Sequence, residues 1–127
     1  MKIRHQIVVF DAPNLAAESR FWAGVLGGTV KTWDDWHTIS VDGEPRMAVQ
    51  LAPDHQPPQW PDGAPQQIHV DLWVQDFEEA HEQAMALGAR VLQSVDALDP
   101  DRPDAFQVYA DPAGHPFCLC FDRKERV

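Results

Sequence analysis

His69, Asp71 and Trp73 alternate along Ile68 to Val74, a run that reads as a β-strand, and alternate residues of a strand share one face. An imidazole, a carboxylate and an indole then project together. A carboxylate beside an imidazole orients the ring or moves a proton itself, and an indole offers a flat wall to a planar ligand. Asp11 lies on the strand-like run Ile7 to Asp11, on the face it shares with Ile7. Asp71 and Asp11 are therefore the candidate acid/base residues, and the plain alternative for each is structural pairing, because a carboxylate taken out of water must be paired or hydrogen-bonded. Trp33 and Trp36 flank a turn that would rim a pocket, whereas Trp22 falls on the apolar face of a helix and reads as core. Cys118 and Cys120 stand two apart in an apolar strand, on one face but outside disulfide geometry, which suits a reducing compartment. His37, His55 and His81 join no constellation and read as surface residues; His115 belongs to a turn. The sequence has no Ser/His/Asp order, no phosphate-cradling glycine loop and no CxxC pair, which sets those enzyme classes aside.

The elements that must position these residues occur twice. Ile7 to Asp11 is closed by Ala12-Pro13, Asn14 offers an N-cap, and Leu15, Phe21, Trp22, Val25 and Leu26 give the helix Leu15 to Leu26 one apolar face before Gly27-Gly28 ends it. Ile68 to Val74 is again a strand, with Ile68 and Val70 expected against a helix; Asp76-Phe77-Glu78-Glu79 is a capping box, and the helix it opens stops at Leu87-Gly88. Ile7 registers with His69, Asn14 with Asp76, and Leu26-Gly27 with Leu87-Gly88, as an internal duplication would produce. Further strands are expected at 29–33, 36–41 and 47–52, then at 90–94, 106–110 and 117–121, with turns at Asp42-Gly43 and Asp111-Pro112-Ala113-Gly114. Each half reads βαβββ. Pro53 to Pro65 carries five prolines around Trp60 and is expected to link the halves without regular structure.

With 127 residues the chain is expected to form one domain, 1–127, with module one at about 1–53, a linker at 54–65 and module two at about 66–127. A formal net charge of -10 argues against nucleic acid, whose phosphates a binder must neutralise. The N-terminal apolar run is too short for a signal peptide or a membrane span, so a cytoplasmic protein without membrane contact is expected.

Ala48-Val49-Gln50-Leu51, Pro58-Gln59-Trp60-Pro61, Gln67-Ile68-His69-Val70-Asp71 and the run Asp111 to Cys118, set in this duplicated frame, resemble the vicinal oxygen chelate superfamily, in particular its actinobacterial glyoxalase-like branch. The resemblance implies an α+β fold of paired βαβββ modules, forming a curved mixed sheet around a cup-shaped pocket. It also implies four metal ligands, two from each module, holding Zn, Ni, Mn or Fe. His69 fits the second module's histidine. Ile7 stands at its counterpart, with His5 two residues earlier. Gln50 replaces a carboxylate by an amide, and Cys118 replaces a glutamate. Such a set brings no compensating charge to a divalent ion, so no cofactor is expected and the metal is kept as the alternative. The expected function is the binding of a small organic ligand by His69, Gln50, Trp73, Trp33, Trp36 and Cys118, as in the bleomycin-resistance proteins. The alternative is a metal-dependent lyase or dioxygenase with His69, Gln50 and Cys118 on the metal. A homodimer is expected from the resemblance alone.

Overall fold

A computed structural model describes residues 1–123, which divide into two compact units, one of residues 1–56 and one beginning at Pro57. The division falls inside the proline-rich segment, so most of that segment belongs to the second unit.

The first unit contains β1 (Val8–Ala12), α1 (Leu15–Leu26), β2 (Thr29–Thr32), β3 (Trp36–Val41) and β4 (Glu44–Leu51). Its four strands lie in the order β1-β4-β3-β2, with β1 and β4 parallel and the other pairs antiparallel. Asn14 caps α1 by accepting from the Ala17 amide at 3.0 Å, and Gly27 ends it in the left-handed conformation at φ 70°, which a residue with a Cβ disfavours. Asp42 and Gly43 both take positive φ in the β3–β4 turn, the requirement of the tightest hairpins. Trp22 is fully buried between Phe10 and Phe21, with both rings centred 5.2 Å from its own.

The second unit repeats this plan with β5 (Val70–Trp73), α2 (Phe77–Leu87), β6 (Arg90–Gln93), β7 (Asp104–Ala110) and β8 (Pro116–Asp122), in the order β5-β8-β7-β6, again with one parallel pair at β5 and β8. Asp76 caps α2 through the Glu79 amide at 3.1 Å, and Gly88 stops it. A 3-10 turn at Val95–Ala97, not expected from the sequence, is fastened by a Val95 amide donating to the Gln107 side chain at 3.0 Å. The α+β fold of two βαβββ modules is thus present, built as two four-stranded mixed sheets.

Alternation divides β7 and β8 cleanly. Gln107, Tyr109, Phe117 and Phe121 face α2, where Phe77 stacks on Phe121 at 4.5 Å and Tyr109 on Phe117 at 5.2 Å. Phe106, Val108, Cys118 and Cys120 face the other way and form a second apolar cluster, against which Trp60 packs. The bounds of β3 are as expected, and those of the other strands differ from expectation by up to three residues. His69 lies just before β5 and keeps the strand's alternation. Ile68, expected against a helix, is largely exposed because β5 begins two residues later.

Candidate functional site

The face of the second sheet opposite α2 is a grid. Asp71 pairs in register with Cys118, which pairs with Val108; Trp73 pairs with Cys120, which pairs with Phe106. Residues opposite one another on neighbouring strands point to the same side. His69, Asp71, Trp73, Cys118, Cys120, Phe106, Val108 and Asp104 accordingly line one cavity of about 320 Å³, and Trp60 from the proline-rich segment and Gln66 just after it complete its wall. The shared projection of His69, Asp71 and Trp73 is present. Trp60, Asp104, Phe106 and Gln66 were missed. Alternation puts Asp104, Phe106 and Val108 on one face of β7, but only the pairing of β7 with β8 joins that face to the cavity, and nothing local could have brought residues 60 and 66 to the same wall.

At the centre, His69 Nε2 lies 3.1 Å from Asp71 Oδ1, the geometry of an imidazole held by a carboxylate, with both side chains about half exposed. Cys118 lies beside them. Burial pushes its thiol up to about 12, and Asp71 raises it further by repulsion and by accepting the thiol's hydrogen bond. Cys120 is pushed up to about 11 by burial and then by Asp71 and Asp104. Both thiols are neutral near pH 7, so neither is a nucleophile of the thiolate kind.

Asp11, Gln50, Trp33 and Trp36 belong to the first unit. Asp11 pairs in register with Gln50, and Gln50 with Trp36, which places these three in a row on one face of the first sheet. Trp33 is exposed and carries Lys31 over its ring at 5.1 Å. Two histidines read as surface residues are not: His37 is buried and bonded to Ser19 Oγ at 2.8 Å, and His81 is half-buried and bonded to Tyr109 Oη at 2.6 Å. Each lies on the helix side of its unit, where a sequence without periodic partners gives no warning of burial.

The residues at the positions of the superfamily's four metal ligands do not fit that group. His69 alone is of the usual kind: Ile7 has no donor atom, Gln50 offers a neutral amide, and Cys118 stands where the resemblance implies a glutamate.

A fold of two βαβββ modules, with a pocket on the helix-free face of a sheet, defines the class. The glyoxalase-like domain family matches residues 7–120, and the chain belongs to that family. No relative was found among the curated proteins. Among solved structures it is similar to a genomically encoded fosfomycin resistance protein, FosX, from Listeria monocytogenes, with 13% identity, 98% of each chain covered and a TM-score of 0.70. It is also similar to a glyoxalase-related enzyme from Fulvimarina pelagi, with 16% identity, 94% of this chain and 89% of that one covered, and a TM-score of 0.67. A glyoxalase/bleomycin resistance protein/dioxygenase family enzyme from Burkholderia phytofirmans gives 12% identity, 91% and 96% coverage and a TM-score of 0.67. At these identities the likeness concerns the fold.

Proposed function

We propose that this protein binds a small planar organic ligand in the second unit's cavity without using the superfamily's standard metal. The observation that carries the reading is one wall on which three aromatic side chains, Trp60, Trp73 and Phe106, converge with two carboxylates, Asp71 and Asp104. Aromatic faces hold a flat ring, and carboxylates in a partly dry site select a positive or hydrogen-donating one. His69 orients Asp71. The overall charge of -10 draws cations toward the protein and repels anionic polymers. A cytoplasmic location belongs to the same reading, supported by two buried free cysteines, as does a homodimer, supported by the family alone. No helix among the described residues is long and apolar enough to cross a membrane. The test is a titration with a planar cation, ethidium, read by tryptophan fluorescence. Quenching should saturate, and Trp73→Ala or Asp71→Asn should weaken binding roughly ten-fold, the size of a stacking or charge contact in a partly closed site. Binding unaffected by both changes would refute the assignment.

A second reading, a metal-dependent lyase or dioxygenase, has one observation on its side. Ligand atoms of His69, Asp71 and Cys118 all lie within 4.8 Å of one another, a donor set suited to zinc that differs from the standard four. Cobalt added to the metal-depleted protein distinguishes the two. A thiolate-to-cobalt charge-transfer band that disappears in Cys118→Ala supports the metal, and an unchanged spectrum supports the binder.

A further inference from the structure

The cavity-facing row of β7 does not end at Asp104. Counting back by two reaches Arg102, just before the strand, whose guanidinium lies 3.3 Å from the Asp104 carboxylate and 5.7 Å from the Phe106 ring centre. Both partners line the cavity. A cation over an aromatic face and beside a carboxylate is the arrangement a planar cationic ligand needs, and here the chain's own side chain adopts it. The loop carrying Arg102 is fastened. Its amide donates to Asp99 O at 3.2 Å, the Asp101 amide to Asp99 Oδ1 at 2.9 Å, and Arg123 donates its amide to Pro103 O at 2.9 Å and its guanidinium to Asp99 O at 2.6 Å. With the backbone held, a swing of the long, half-exposed side chain into water is enough to vacate the place. Asp104 also pairs in register with Asp122, so this end of the cavity turns acidic when the guanidinium leaves.

We infer that Arg102 sets the charge selectivity of the cavity by standing in its cation position, so that a cationic ligand binds by displacing this guanidinium. The inference rests on the pocket reading above. Ethidium and the anionic anilinonaphthalene sulfonate are titrated against the full chain, Arg102→Ala, Arg102→Gln and Trp73→Ala; the glutamine variant serves if the alanine variant does not fold. Removing the resident cation should tighten ethidium binding roughly five-fold, the size of an exposed ion pair together with an exposed cation–π contact, and leave the sulfonate no better bound. Ethidium affinity unchanged or weakened in both Arg102 variants overturns the inference, and if Trp73→Ala still weakens binding, the pocket reading stands without it. If no protein in the set binds ethidium, both fall.

Discussion

The two units have the same strand order and the same single parallel pair, yet they differ in how their buried residues are spread over the two faces of the sheet. In the first, the helix side is dense: α1 buries six residues, including Phe21 and Trp22, and even its polar members Glu18 and Ser19 are fully covered. In the second, α2 itself buries only Ala84; Tyr109, Phe117 and Leu119 are buried on the helix side of the sheet, and a further apolar cluster lies on the other face, around Cys118 and Cys120. The wiring therefore does not fix whether a module packs apolar residues on one face of its sheet or on both. A unit that moves part of its apolar packing to the open face leaves a wall on which a ligand can dock.

The sharpest way to break this comparison is to empty the first core. Trp22→Ala should cost about 3–5 kcal/mol in urea unfolding, as large-to-small changes at fully buried aromatics do, while Phe77→Ala, a half-buried contact of α2 with Phe121, should cost less than half of that. Equal losses would show that the two helices are equally committed.

The polar pairs under the helices sharpen the contrast. Ser19→Ala should cost about 2 kcal/mol, because His37 is then buried without its 2.8 Å partner. Tyr109→Phe should cost only about 1 kcal/mol, since Gln107 Nε2 already lies 3.3 Å from His81 Nδ1 and the two can close on each other. Thermal unfolding of the two variants, compared with the parent protein, checks the order.

Gln66 lines the cavity, and its Oε1 is buried with no hydrogen-bond partner among the described residues. Gln66→Met, nearly the same shape without the amide, should raise stability by up to about 1 kcal/mol. A lower melting temperature would contradict the accounting of that side chain.

A further contrast is alkaline. Cys118 and Tyr109 both hold their protons up to about 12 in the folded protein, against ordinary values of 9.0 and 10.0, so between about pH 9 and 12 the unfolded chain loses protons first and stability falls as pH rises. The urea midpoint measured across that range should decline, and more gently in Cys118→Ala. The same decline in the variant would mean that Cys118 has no part in it.

What could be read in advance follows from how local each signal is. Asn14, Gly27, Asp76 and Gly88 announce their helices because caps and stops act within one turn of the chain. The trio His69, Asp71 and Trp73 was visible because alternation is equally local. Asp104 and Phe106 belong with them through a register between β7 and β8 that only the folded sheet sets, and Trp60 through the packing of a segment without strands. Asp11 is a pocket candidate by alternation, Trp33 and Trp36 by the turn they flank and Gln50 by resemblance; all four lie on the first unit.

The proline-rich segment behaves as part of the wall. Trp60 packs on the Val108, Cys118 and Cys120 cluster, and Pro57 approaches the β7–β8 turn so closely that a Cβ on Gly114 would stand 2.6 Å from its own Cβ. The segment contributes nothing to either sheet's ladder. A substitution within it breaks no strand pairing, whereas one at Trp60 changes the cavity wall. The shape of the cavity is thereby uncoupled from the pairing of the strands: the ladders hold the scaffold, and one strap outside them forms part of the wall.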